Sequence, residues 1–285
     1  MNIKEVLLNT EKYFEKNNID NPRLDAEVLL ADLLDMERIR LYVNFDYPLK
    51  EEEISRYRQM IKSRARHIPV AYITGHKEFM SLDFYINQNV LLPRPETEIL
   101  VEYLIDYFQE KEMEKVNIVE VGTGSGAIMV SLGYYLKEAR ILGVEIDSKA
   151  LQVSRKNIQK YGLEDRLKLT RGNLLKPLIK KSVDNVDLLV SNPPYISDEE
   201  MQDLPSEVKK EPHRALCGGK RGLDIYKKLI KQAPQILKNR GMIAVEIGYR
   251  QADHVEKILR ENNFKKIEVR KDYADKDRFI LAHKG

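Results

Sequence analysis

From about residue 115 to 260 the chain alternates short apolar, β-branched runs with longer amphipathic ones, and this alternation narrows its fold more than any other feature. The runs 116–121, 140–146, 167–170, 186–190 and 242–247 read as strands, while 127–136, 149–161, 223–237 and 251–260 carry helical spacing. Strands separated by helices need crossover connections, so the expected product is an α/β fold with a mostly parallel sheet covered on both faces. Two closing strands, 265–269 and 278–282, have only 271–276 between them. That is too short for a crossover, so they are expected as an antiparallel hairpin at the sheet edge.

The first part of the chain has a different texture. Ile3, Val6, Leu7, Thr10 and Phe14 recur at helical steps, and Asn21-Pro22 offers a cap and a first-turn proline to a second helix. Leu41 and Tyr42 suggest a short third helix, and Ile54, Tyr57 and Ile61 a fourth that runs to about Arg66. Phe79, Leu82, Phe84, Ile86 and Val90 to Leu92 have strand character, with Asn87-Gln88-Asn89 as the expected turn of a linking hairpin. The expected division is a helical bundle over 1–75, a hairpin linker over 76–95 and an α/β domain over 96–285. At 285 residues the chain is long enough for this plan.

Composition excludes several classes. A charged fraction of 33% beside 42% hydrophobic residues suits a globular protein, and a net charge of +3 is too mild to argue for wrapping nucleic acid. One cysteine, Cys217, fits a reducing compartment, and the five histidines show no zinc-ligand spacing, so no metal is expected. No signal-like stretch or membrane-spanning run is read, and the expectation is a cytoplasmic protein with no membrane contact.

Two turns carry the chemistry. The strand 186–190 runs into Asn192-Pro193-Pro194-Tyr195, where two prolines donate no N–H and force Asn192 to stay extended. The stiff turn presents an amide side chain, bare carbonyls and an aromatic ring at a strand's C-terminal end, where open α/β sheets bind ligands. The first strand runs into Gly122-Thr123-Gly124-Ser125-Gly126 and then a helix, with Glu145 ending the second strand about twenty residues on. A glycine loop lets backbone approach a ligand, and a carboxylate at that place grips ribose hydroxyls. The third glycine comes one residue early for a dinucleotide fingerprint and no triphosphate loop is present, so a nucleoside is indicated. The spacing resembles the loop by which class I methyltransferases bind S-adenosylmethionine. Asn173, after the third strand, would then lie near the adenine, with Leu174 packing on the ring.

If a methyl donor lies across these strands, the Asn192 side-chain carbonyl and the Pro193 backbone carbonyl face its methyl group as two fixed acceptors. A planar NH₂ group is the natural guest, with two donors and a flat face for Tyr195. A nitrogen taking up a methyl group becomes positive, which those dipoles stabilise, and no strong base is needed. The residues alone leave open whether that nitrogen belongs to adenine, cytosine or a carboxamide.

Nearly the whole chain resembles the release-factor glutamine methyltransferase family. The matching segments are Pro69-Val70-Ala71-Tyr72-Ile73-Thr74-Gly75, Pro93-Arg94-Pro95-Glu96-Thr97-Glu98, the glycine loop, Asn192 to Tyr195, Glu211-Pro212 with Ala215-Leu216 and Gly218-Gly219, and Asp277-Arg278-Phe279. The resemblance implies a Rossmann-like class I methyltransferase domain behind a helical domain that helps dock class 1 peptide chain release factors, with no direct nucleic-acid partner. It implies methylation of the glutamine amide of a Gly-Gly-Gln loop, with Asn192, Pro193 and Tyr195 catalytic and Pro194 beside the substrate; the two prolines around Arg94 read either as a rigid linker or as holding that arginine beside the ligand cleft, at the substrate. Glu120 and Glu145 stand where the family usually has aspartate, a longer reach that keeps the charge. Asn173 also replaces aspartate, and Lys220-Arg221 occupy a turn that is often acidic. An amino-methyltransferase acting on adenine or cytosine of nucleic acid is the alternative.

Overall fold

The computed structural model describes residues 1–113 and 115–285. They form two compact units, one of Met1–His76 with Pro205–Lys210, the other of Lys77–Leu204 with Glu211–Gly285.

The first unit is helical: α1 (Ile3–Lys16), α2 (Pro22–Leu33), α3 (Arg38–Val43), α4 (Glu51–Arg64) and α5 (Val70–Thr74). Asn2 and Glu5 close a capping box at the start of α1, and the apolar positions foreseen there are the buried ones. Pro22 opens α2 as expected, but the Asn21 side chain makes no capping bond. Ile3, Leu7, Phe14, Leu29, Leu30, Leu41 and Tyr57 form the centre of a shared core. Helical spacing missed Glu27, which is only 3% exposed in α2. It is held by Arg23 at 2.5 Å, by the Tyr42 hydroxyl and by Arg38 at 3.5 Å, so its charge is paired. The short α5 was not foreseen either, since one turn after Pro69 is too brief for a periodic signal.

The second unit holds the hairpin of β1 (His76–Phe79) and β2 (Leu82–Tyr85), then α6 (Pro95–Glu110), β3 (Asn117–Val121), α7 (Ala127–Tyr135), β4 (Arg140–Glu145), α8 (Ser148–Lys160), β5 (Leu167–Arg171), α9 (Lys176–Lys180) and β6 (Val186–Ser191). α10 (His213–Leu216), α11 (Asp224–Gln232), β7 (Leu237–Glu246), α12 (Ala252–Glu261), β8 (Phe264–Lys271) and β9 (Asp277–Lys284) follow. The strands order as β5-β4-β3-β6-β7-β9-β8, parallel until β9 and β8 close the edge antiparallel. The chain starts in the middle at β3, builds β4 and β5 outward, and returns to lay β6 on the other side. That reversal opens a crevice at the C-terminal ends of β3 and β6.

Two boundaries differ from expectation. The hairpin turns at Met80-Ser81, both at positive φ (52° and 57°), whereas Asn87 to Asn89 turn beyond β2 through the Asn87 side chain. A two-residue loop with both residues left-handed matches strand twist, and polar composition at 87–89 is a weaker signal than that geometry. The helix expected over 223–237 ends at Gln232, and Leu237 already starts β7. Pro234, held in a short 3₁₀ turn, has no N–H with which to continue an α-helix.

In the helical unit Arg64, 3% exposed, bonds Asp25 at 2.6 Å and also pairs with Glu207 of the 205–210 segment. Removing one member of a buried ionic cluster strands its partners. Arg64→Met is expected to cost about 3 kcal/mol in chemical unfolding; a loss of under about 1 kcal/mol would show that the cluster does not hold this unit.

Candidate active site

The Gly122 to Gly126 loop leaves β3 with positive φ at all three glycines (78°, 52° and 81°). A Cβ at Gly122 or Gly124 would meet nothing within 4 Å, so the front of the loop is open. Its back is held by α8. Ser154 Oγ donates to the Gly124 carbonyl at 2.8 Å, and a Cβ on Gly126 would lie 3.3 Å from Ser154 Cβ. Asn157, fully buried, donates to the Ser125 carbonyl at 2.8 Å and accepts from the Tyr85 N–H at 2.8 Å.

Glu145 at the end of β4 reaches back to the same loop. Oε2 accepts from Gly124 N–H at 3.0 Å, and Oε1 accepts from Ile146 at 2.7 Å and Asp147 at 3.0 Å. A carboxylate offers about four acceptor positions, so one on Oε2 remains. The Gly172 N–H donates to the Glu145 carbonyl at 2.9 Å, which brings Asn173 and Leu174 to the same rim. Asn173 is exposed, and Leu174, at φ 53°, packs partly against the main core. Glu120, beneath the loop, accepts from Met129 N–H at 3.0 Å. Burial, with the Glu145 charge adding to it and the Met129 bond opposing it, holds Glu120 well above the usual carboxylate range. The expected retention of charge is therefore opposed at Glu120, which favours the neutral acid.

Across the crevice, β6 pairs with β3 as Ile118 to Leu188, Val119 to Leu189 and Glu120 to Val190. Ser191 Oγ then donates to the Val121 carbonyl at 2.7 Å, which ties the two loop stems together. This sets Asn192 to Tyr195 beside the glycine loop. Asn192 Nδ2 donates to Thr97 Oγ1 at 3.2 Å. Among the described residues neither Asn192 Oδ1 nor the Pro193 carbonyl receives a hydrogen bond, so both acceptors the turn was expected to offer are unengaged.

The turn is buttressed by segments that spacing could not connect. Ile196 N–H donates to Leu216 at 3.0 Å, Gly218 N–H to Ile196 at 2.8 Å, and Gln251 Nε2 to Tyr195 at 2.9 Å. Gly222, at φ 66°, lies so close that a Cβ would fall 2.0 Å from the Tyr195 carbonyl oxygen. Arg94 occupies the N-cap position of α6 without a side-chain capping bond and pairs with the buried Glu211, whose other oxygen accepts from Leu92 N–H at 3.1 Å. Two residues of the site carry no role in the sequence reading, where Thr97 stands only as part of the 93–98 segment. Thr97 is buried in α6, and Glu246, 1% exposed, ends β7. Thr97 Oγ1 bonds Glu246 Oε2 at 2.6 Å, and the Tyr195 hydroxyl is 3.4 Å from Oε1. Glu246 had a legible signal: like Glu145, it is a carboxylate closing an apolar strand.

The arrangement fits a nucleoside-borne methyl donor: an open glycine loop, a carboxylate with a free acceptor and an apolar residue on one rim. Opposite them stand two unengaged carbonyl oxygens held rigidly, able to receive an NH₂ group.

Comparison with known proteins finds two family models and relatives that span the whole chain. Residues 5–75 match the family model of the PrmC N-terminal domain, and residues 96–219 match that of the methyltransferase small domain. The release factor glutamine methyltransferase of Clostridium botulinum is 41% identical over 285 residues, covering 100% of both chains. That of Clostridium acetobutylicum is 40% identical over 286 residues, covering 100% of this chain and 99% of the other. The solved catalytic domain of hMettl16, in complex with a MAT2A 3′UTR hairpin, has a TM-score of 0.58 at 18% identity over 82% of each chain, a likeness of fold alone. No helix of the described residues is long and apolar enough to cross a membrane.

Gly222→Ala must push the Tyr195 carbonyl aside, and a loss of about 2–4 kcal/mol is expected in chemical unfolding. Gly162→Ala is the control, because Gly162 has a similar φ of 63° but open space, and about 1 kcal/mol is expected. Equal losses would show that the close approach at Tyr195 does not hold the turn.

Proposed function

This chain belongs to the release factor glutamine methyltransferase family, and we propose that it methylates the side-chain amide nitrogen of the glutamine in the Gly-Gly-Gln motif of class 1 peptide chain release factors. S-adenosylmethionine supplies the methyl group as an activated sulfonium substituent. The observation that carries the reading is the pair of unengaged acceptors, Asn192 Oδ1 and the Pro193 carbonyl, on a turn braced from behind.

In this reading Gly122, Thr123, Gly124, Ser125 and Gly126 give the cofactor a close backbone approach, and the free acceptor of Glu145 takes a ribose hydroxyl. Asn173 and Leu174 flank the adenine. Asn192 and Pro193 each accept one N–H of the glutamine amide, which turns its nitrogen lone pair toward the methyl carbon. Pro194 keeps the turn stiff, and Tyr195 packs on the flat amide face. Arg94, anchored to Glu211 through one guanidinium nitrogen, keeps other donors for carbonyls of the substrate loop. An amide nitrogen is a poor nucleophile because its lone pair is conjugated. As it takes the methyl group it loses that conjugation and becomes positive, and the two carbonyl dipoles stabilise charge absent from the ground state. The methylated nitrogen is acidic enough to release its extra proton to water, so no histidine or cysteine base is required.

The helical domain over 1–75 docks the release factor, and the match of residues 5–75 to the PrmC N-terminal domain supports this over a nucleic-acid substrate. Exocyclic amino groups of adenine or cytosine have the same donor pattern, so the receptor itself does not separate the readings. Incubation with labelled methyl donor and either release factor or DNA separates them, followed by mass spectrometry of the modified peptide. A single methyl on the Gly-Gly-Gln glutamine is expected; label in DNA with release factor blank would overturn the reading. Asn192→Ala is expected to lower kcat by about 10²–10³ while cofactor Kd changes less than about threefold. Equal losses in both would assign Asn192 to cofactor binding.

A further inference from the structure

Glu246 is a fully enclosed carboxyl group that the mechanism above does not use, joined to Asn192 through one hydroxyl. Thr97 Oγ1 lies 2.6 Å from Glu246 Oε2 and 3.2 Å from Asn192 Nδ2. We propose that Glu246 acts through Thr97 as a positioning residue that sets which end of the Asn192 amide faces the substrate.

A threonine hydroxyl has one proton, and an ionised carboxylate can only accept. With Glu246 ionised, the Thr97 proton is committed to Oε2, and Thr97 Oγ1 offers only lone pairs to its other neighbour. The NH₂ end of Asn192 must meet those lone pairs, so the carbonyl end points the other way, toward the crevice. An Asn amide has no shape preference between its ends; its partners decide. With Glu246 protonated, its own O–H can donate to Thr97. The Thr97 proton is then free to turn to Asn192 and favours the flipped amide. A flipped Asn192 would present NH₂ to the NH₂ of a glutamine side chain, donor against donor, and the receptor would lose one of its two acceptors.

Groups from each packed element bear on this carboxyl. Thr97 and Glu96 come from α6, Tyr195 from the turn after β6, and Arg278 from β9, while Tyr226 of α11 donates to the Glu246 backbone carbonyl at 2.7 Å. Burial is the strongest influence and pushes Glu246 up to about 7, with Glu96 adding to it and Thr97, Arg278 and Tyr195 opposing. Arg278 is itself shared with Asp272 at 2.9 Å, which leaves Glu246 without a dedicated counter-ion. The group therefore changes charge near neutral pH. Neither a glutamine amide nor a sulfonium titrates there, so an inflection in kcat belongs to the enzyme.

The inference rests on the proposed amide-methylating reading, so one readout is independent of turnover. The side-chain ¹⁵N resonance of Asn192 is followed against pH by NMR in the full chain, in wild type and in Glu246→Gln. An inflection near pH 7 in wild type that vanishes in the variant is expected; no inflection in wild type, or the same one in both, overturns the relay whatever the substrate. Turnover on a Gly-Gly-Gln peptide is the second readout. Wild-type kcat is expected to fall as pH drops through about 7, and Glu246→Gln to be flat over about pH 6–8. Thr97→Val is expected to lower kcat at least tenfold with cofactor Kd unchanged, and Thr97→Ser to recover it to within about threefold. A Thr97→Val enzyme as fast as wild type, or loss of cofactor binding in parallel with kcat, would reduce Thr97 and Glu246 to packing. A wild type inactive on release factor with an intact NMR inflection would instead overturn the substrate reading and leave the relay standing.

Discussion

Parallel pairing of β3 with β6 through Val119–Leu189 and Glu120–Val190 sets two strand ends side by side, and both the glycine loop and the Asn192 turn hang from those ends. The pairing brings together segments about seventy residues apart in the chain. The Ser191 hydroxyl, bonded at 2.7 Å to the Val121 carbonyl, locks the stems one residue beyond the last paired position, just before both loops begin. β3 and β6 are interior strands, buried along almost their whole length, with paired neighbours on either side. The glycine loop and the Asn192 turn thus inherit a rigid spacing that neither would have alone.

The two loops meet different demands. A ligand lying along backbone needs space in front, and the glycines supply it while Ser154 and Asn157 of α8 hold the carbonyls behind. The Asn192 turn needs open acceptors that do not move. Pro193 and Pro194 remove donors and backbone freedom, Gly222 lets the turn before α11 come within contact of the Tyr195 carbonyl, and Thr97 engages the one amide end that must not face the crevice. Preorganised dipoles of this sort lower a barrier because no reorientation is left for the reacting moment.

The strand–helix alternation made the sheet and the place of its ligand edge readable, and the glycine loop, Glu145 and Asn192 to Tyr195 could be read because each is continuous in sequence. What escaped was non-local. Thr97 and Glu246 are 149 residues apart, and although Glu246 is visible as a carboxylate closing an apolar strand, the meaning of the pair arises only when α6 and β7 place a hydroxyl against a buried carboxyl. The hairpin turn at Met80-Ser81 was overlooked because neither residue favours the left-handed region; the structure places them there all the same. Glu120 was read as a retained charge, but burial decides its state, and burial is a property of packing. The narrowing from any planar amino group to a glutamine amide came from family resemblance, and the full-length relatives support the same step.

The central claim is that Asn192 and Pro193 form a two-carbonyl receptor for a primary amide. A crystal structure with S-adenosylhomocysteine and a Gly-Gly-Gln peptide tests it directly. The account predicts the glutamine amide nitrogen within hydrogen-bond distance of both Asn192 Oδ1 and the Pro193 carbonyl, with the Asn192 NH₂ still on Thr97. An amide nitrogen bound to neither oxygen, or an Asn192 side chain turned with its NH₂ toward the peptide, would contradict it.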